Sequence, residues 1–186
     1  MNTKTQARRI VAVLLIICIS IGGGILINEL WNVLDRKLHP VNYEEIIANA
    51  SEEFDIPKYI IYSVIKVESG FDPDAISRAS AMGLMQMTSI AVAQVNEVLG
   101  LPETANLTKM YDPEFNIRYG TCYLSYLYKK FDYNWNTTFA AYNAGEGNVA
   151  TWLRDPKYSD LEGNLIDFPD DFGETRHYVK KSKQGY

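Results

Sequence analysis

The chain is poor in the residues that build metal centres and disulfide frameworks. Its 186 residues include two cysteines, Cys18 and Cys122, and two histidines, His39 and His177. These are far apart in sequence and form no Cys/His cluster with metal-ligand spacing, so no metal and no cofactor is expected. Cys18 lies in an apolar N-terminal run and Cys122 stands alone in the rest, so no intrachain disulfide is expected. Cys122 falls in an apolar helical stretch and reads as a small buried hydrophobe. An excess of positive charge is also missing. With 18 Lys and Arg against 23 Asp and Glu, the net charge is −5, and no basic surface points to nucleic acid. Alternating runs long enough for a sizeable sheet, internal repeats and low-complexity blocks are all absent. At 47% hydrophobic and 22% charged residues, the composition is that of an ordinary globular protein. Its length suits one domain plus a tail.

Residues 1–30 differ in kind. Lys4, Arg8 and Arg9 precede an uncharged apolar run from Ile10 to Ile27, which gives way to Asn28 and Glu29. As a helix that run is about 27 Å long, close to the thickness of a bilayer core. The positive charges lie only on its N-terminal side, which places the N-terminus inside and the remainder outside the cell membrane. No clear small-residue cleavage site follows, and the run is longer than a usual signal-peptide core. The expected organisation is a cytoplasmic N-terminus at 1–9, a single-pass signal anchor at 10–28, a linker at 29–42 and an extracytoplasmic domain at 43–186. A cleaved signal peptide is the alternative.

The exported part reads as a series of helices joined by irregular loops. Asn42 stands as an N-cap for Tyr43 to Phe54, where Ile46, Ile47, Ala50 and Phe54 make an apolar stripe. Pro57 opens the next helix. Ser89 is a candidate cap for the helix running through Val92, Val95 and Leu99. Asp112-Pro113 reads as a cap followed by proline, opening a long helix to about Phe131. Asn136 begins another helix, broken at Gly145-Glu146-Gly147 and resumed as a short one. A turn at Glu162-Gly163-Asn164 follows, and a final helix spans the basic tail. The fold class is therefore mainly α.

The helix opened by Pro57 carries the candidate chemistry. Ile60, Val64 and Glu68 recur at i, i+4 and i+8, flanked by Ile61 and Ile65, so a carboxylate shares the core-facing stripe. Ser69-Gly70 then stops the helix. Apolar neighbours and the negative end of the helix dipole both disfavour the ionised form of Glu68. Its pKa should rise, as a general acid at neutral pH requires. The plainer reading is a helix-end glutamate whose head group reaches water.

The ordered motifs VESGF-D-P, Ser77, GLMQ, AYNAG and ETRHYV resemble the soluble-lytic-transglycosylase (SLT) domain family from about Tyr43 to Val179. The resemblance implies a lysozyme-like α-helical domain with a substrate groove, acting on peptidoglycan glycan strands. It implies Glu68 as the single acid/base, with Ser77, Gly83, Met85, Gln86, Tyr142, Asn143 and Glu174 at the substrate. One departure is visible: the family usually continues GLMQ with an apolar residue and proline, whereas here Met87-Thr88-Ser89 follows. The implied activity is cleavage of the bond between N-acetylmuramic acid and N-acetylglucosamine, with closure to a 1,6-anhydro end. Two alternatives stay open. One is a hydrolytic muramidase using Asp72 or Asp74 as a second carboxylate. The other is a wall-binding module of a cell-envelope machine. On the plainer reading, Tyr142 and Met85 are core and Glu174 is structural, paired with Arg176 or another base.

Overall fold

The computed structural model describes residues 14, 17, 18, 20–27, 30, 31, 43–102 and 107–184. The chain divides into two compact units, Met1–Pro40 and Val41–Tyr186. In the first, residues 20–27 are helical. The expected cytoplasmic segment, eight of the nineteen residues of the expected anchor, most of the expected linker and the expected Asn42 cap lie outside the described residues. Among the described residues, no helix is long and apolar enough to cross a membrane.

The second unit is mainly helical, as expected, and among its described residues β-pairing is limited to isolated bridges. Its helices are α1 (Glu44–Phe54), α2 (Lys58–Glu68), α3 (Ser89–Val98), α4 (Pro113–Lys130), α5 (Trp135–Ala144), α6 (Glu146–Trp152) and α7 (Gly173–Gln184). Helix α4 is the axis of the domain. It packs against α1, α3 and α5, and Ile117, Tyr119, Leu124 and Leu127 are fully buried along it. A helix buried on several faces can present neighbours to each of them, and α4 does so through Asn116 as well as through apolar residues.

Local chemistry accounts for the helix ends. Asp112 accepts the Phe115 N–H at 3.1 Å, capping α4 with Pro113 at its first position. Thr88, not Ser89, caps α3, because it is the Thr88 hydroxyl that accepts the Ala91 N–H, at 3.2 Å. Helix α5 begins at Trp135, one residue earlier than expected. Its cap is Asn134, whose side chain accepts the Thr137 N–H at 3.2 Å. The break between α5 and α6 is Gly145 alone, at φ +87°, a conformation that glycine adopts without a steric penalty.

Helix α2 ends on Glu68 and buries Ile60, Ile61, Val64 and Ile65, the stripe expected from their spacing. It packs between α1 and α7. Helix α7 also packs on α5, so it bridges the helix that carries Glu68 and the one that carries Tyr142 and Asn143. The Ser63 hydroxyl, buried on α2, donates to the Ser182 carbonyl at 2.8 Å and ties α2 to the last turn of α7.

Candidate active site

Glu68 sits at the C-terminal end of α2, half-buried as a residue but with its carboxyl drawn out of water. Burial is the main cause that pushes its pKa up to about 7, and the negative charge of Glu174 adds to the rise. Tyr178 opposes both as a donor to the carboxyl, although its buried hydroxyl closes no hydrogen bond of full geometry. A carboxyl poised near neutrality is partly protonated at pH 7 and can both give and take a proton.

The segment after α2 is a compact loop built to hold shape. Ser69 donates to the Leu84 carbonyl at 2.8 Å, bringing the loop back to the end of the catalytic-candidate helix. Antiparallel bridges join Ile76 to Met82 and Met82 to Met87. The Asn116 side chain then anchors the loop to α4. Its oxygen accepts the Met85 N–H at 2.7 Å, and its amide donates to the carbonyls of Met82 at 2.8 Å and Met110 at 2.7 Å. Three bonds from one buried amide leave the loop little freedom. Sequence reasoning passed over Asn116, which in a helical repeat looks like any polar position.

Gly83 and Met85, expected at the substrate, are interior. Gly83 is buried at φ +74°, and a Cβ there would collide with the Asn116 side chain and the Met110 carbonyl. Met85 is 0% exposed and packs against Gly120 of α4. Both hold the loop in place, and neither presents a side chain to a ligand.

The other expected residues lie nearer the surface. Ser77 is exposed, and its oxygen accepts the N–H groups of Ala79 at 3.2 Å and Ala81 at 3.0 Å, which leaves its proton free to donate outward. Gln86 adopts φ +47° and spends its amide on the carbonyls of Ala75 at 3.0 Å and Gly83 at 2.9 Å. Its side-chain oxygen stays available as an acceptor. Asn143 is exposed, with its oxygen accepting the Thr175 hydroxyl at 2.8 Å and its amide free. Glu174 is exposed at the start of α7 and acts on Glu68 through its charge. Arg176 pairs with Asp167 at 2.8 Å, and among the described residues Glu174 forms no ion pair with Arg176.

Tyr142 joins these groups. Its hydroxyl donates to the Met85 carbonyl at 2.8 Å, and its ring lies 5.5 Å from that of Tyr123. Burial first, then the charge of Glu68, raises its pKa well above the ordinary phenol value, so it stays a neutral donor. Tyr142 also lines a cleft of about 210 Å³ with Gln86, Thr88, Tyr123 and Asn143. The GLMQ and AYNAG segments therefore meet at one surface, to which Thr88 contributes although its hydroxyl caps α3. Glu68 is not among the residues lining this cleft; Tyr142 is the residue common to both. Asp72 and Asp74 are exposed, and Asp72 accepts the Asp74 N–H at 3.1 Å in a turn. Neither acts on Glu68, so the carboxylate found beside it is Glu174.

Tyr178 was the second residue missed. Its signal was present: it follows Glu174 by four residues and belongs to the stripe Thr175, Tyr178, Val179 and Ser182, all buried on α7.

The transglycosylase SLT domain matches residues 45–162. The soluble lytic murein transglycosylase of Escherichia coli K12 is 32% identical over 154 residues, covering 82% of this chain and 23% of that protein. A membrane-bound lytic murein transglycosylase C from Edwardsiella ictaluri is 36% identical over 126 residues, 63% of this chain and 34% of the relative. The chain thus spans about a quarter to a third of the length of these relatives. Among solved structures, an inactive Glu-to-Gln mutant of the lytic transglycosylase Slt from Pseudomonas aeruginosa superposes with a TM-score of 0.64. It is 30% identical, over 77% of this chain and 23% of the other.

Proposed function

Because the chain belongs to the transglycosylase SLT domain family, we propose that it is a peptidoglycan lytic transglycosylase with Glu68 as its acid/base. The observation that carries this reading is the Glu68 carboxyl itself, held at about 7 by burial and by Glu174 at the junction of α2 and α7.

In the proposed reaction, protonated Glu68 gives its proton to the oxygen of the β-1,4 bond between N-acetylmuramic acid and N-acetylglucosamine. The C1–O bond breaks, the N-acetylglucosamine end leaves as an alcohol, and C1 develops oxocarbenium character. The muramyl 6-hydroxyl then bonds to C1 and returns its proton to Glu68. The product is a 1,6-anhydro end, no water is consumed, and the enzyme is regenerated. One carboxyl suffices because the nucleophile belongs to the substrate.

The neutral polar groups suit acetamido and hydroxyl recognition without competing for the proton. Ser77 and the Asn143 amide donate, and the Gln86 oxygen accepts. Tyr142 holds the loop under the sugar and presents its ring to the cleft. Glu174 keeps the Glu68 proton in place through its charge.

We infer also that residues 10–28 anchor the enzyme in the cell membrane, with the catalytic domain on the outer side. Support comes from the uncharged apolar run and from the exposed apolar side chains of Leu14, Ile17, Ile21, Ile25, Leu26 and Ile27.

The test is mass analysis of muropeptides released from purified peptidoglycan by the full chain in detergent. Anhydro-muramyl ends are expected, and none should be released by Glu68→Gln. Reducing muramyl ends would instead identify a muramidase. Glycan binding with no release would identify a wall-binding module.

A further inference from the structure

Helix α7 carries a buried hydroxyl, that of Ser182, for which the proposed reaction has no use. Tyr178 and Ser182 are 5% and 1% exposed and stand at i and i+4 on one buried face. Neither the Tyr178 hydroxyl nor the Ser182 Oγ closes a hydrogen bond of full geometry among the described residues. A helical serine commonly turns its hydroxyl back onto the carbonyl four residues earlier, and Ser182 does not. Orphaned buried hydroxyls are rare enough to need a reason.

The packing of α2 on α7 supplies one. The Ser63 hydroxyl bonds the Ser182 carbonyl at 2.8 Å and fixes the two helices at that level. Glu68 lies five residues after Ser63 on α2, and Tyr178 four residues before Ser182 on α7. At a rise of about 1.5 Å per residue, both lie roughly 6–8 Å along the helices from the Ser63–Ser182 bond. They come to one level, where Tyr178 acts on Glu68, because the helices run antiparallel. Ser182 thus stands one turn behind Tyr178, away from the carboxyl. The directions are set as well: Tyr178 meets Glu68 as a donor, whereas Ser182 meets the phenol oxygen as a donor in its turn.

We propose that Ser182 is a positioning residue for Glu68: its hydroxyl donates to the Tyr178 oxygen and commits the phenol proton to the inner oxygen of the Glu68 carboxyl. The inference rests on the reading of Glu68 as the acid/base. With its inner oxygen accepting from Tyr178, the carboxyl carries its own proton on the outer oxygen, the one a substrate can reach. Ser182 holds that arrangement, because a phenol oxygen that accepts from Ser182 cannot turn its own proton the same way. Donors in series polarise one another, so the line also favours the ionised carboxylate that the second half of the reaction needs as base. The other groups facing the carboxyl are Glu174 on α7, whose charge opposes ionisation, and Tyr142 on α5, which feels the charge of Glu68. Among the described residues, no titratable group of α1 acts on it.

The test follows the Glu68 carboxyl itself, by its carbon-13 chemical shift in the full chain in neutral detergent, assigned by its loss in Glu68→Gln. The pH profile of kcat/KM on peptidoglycan is measured beside it. Ser182→Ala should raise the Glu68 midpoint and the alkaline limb together, by roughly half a pH unit. Ser182→Cys, close in shape but a weak donor, should shift both as alanine does. In a Tyr178→Phe background, Ser182→Ala should move neither. Ser63→Ala, which cuts the tie between α2 and α7, should lower the melting temperature and leave the midpoint in place. An unmoved midpoint in Ser182→Ala overturns the proposal. So does a shift that persists in Tyr178→Phe, or one that Ser63→Ala reproduces, since either makes the effect one of packing. A midpoint that moves as expected, in a protein whose Glu68→Gln variant still cuts strands, overturns the catalytic reading and leaves Ser182 assigned to the carboxyl.

Discussion

The hydroxyl of Tyr142 donates to the carbonyl oxygen of Met85 at 2.8 Å, joining the AYNAG helix to the GLMQ loop. The two segments are 57 residues apart, and this bond makes them one surface. Tyr142 also carries the electrostatic influence of Glu68, so the same side chain is both strut and neighbour of the acid.

Removing that strut isolates its role. Tyr142→Phe keeps the ring against Tyr123 but leaves a buried carbonyl without its donor. A loss of about 1–3 kcal/mol in unfolding free energy is expected, read by denaturant titration, together with reduced kcat. Stability equal to wild type would mean that the bond is replaced by solvent.

Glu68 should make stability fall as pH rises. Its folded pKa of about 7 lies above the ordinary value of 4.5, so between these pH values the native state holds more proton than the unfolded chain. The sign is therefore negative. The contribution is full below the lower value and is lost as pH rises through the upper one. Glu68→Gln, which cannot ionise, should gain on wild type across that window, by at most about 3 kcal/mol. Thermal melts of both proteins at pH 5 and pH 8 measure it.

Tyr178→Phe should move the pH–rate profile. The phenol lowers the Glu68 pKa, so its loss lets burial and Glu174 raise that value further. If Glu68 must be protonated to act, the alkaline limb of kcat/KM shifts to higher pH. A limb that stays in place, or moves down, would show that Tyr178 does not act on the Glu68 carboxyl.

Gly83→Ala places a methyl group against Asn116 and the Met110 carbonyl at a backbone conformation suited to glycine. Both neighbours are tied into the loop anchor, so neither yields cheaply. Destabilisation of about 2–4 kcal/mol is expected, with a drop in melting temperature of roughly 5–15 °C. Asn116→Ala should reproduce the loss by freeing the same loop. Its activity defect should track stability and leave the pH profile unchanged.

Much of this architecture was legible along the chain. The Ile60–Val64–Glu68 stripe, the stop at Ser69-Gly70 and the Asp112-Pro113 start are local signals, and the helices begin and end at them. The near misses were also local. Thr88 and Ser89 are both good caps, and only the path of the backbone decides whose hydroxyl reaches the Ala91 N–H. Gly83 carried no mark of burial, and for Met85 the core reading stood beside the substrate one, because nothing near them in sequence tells an interior loop from an exposed one.

The amino-acid sequence by itself determined which side chains share a helical face, where the helices stop, and that one carboxyl would sit at the end of an apolar stripe. Those properties depend on spacing and on neighbours a few residues away. Tertiary structure alone decided what surrounds that carboxyl. Tyr178 and Glu174 reach it from α7, Tyr142 from α5, and Asn116 secures the loop beside it from α4. Desolvation and charge–charge interaction act through distance in space, and packing, not spacing along the chain, sets that distance.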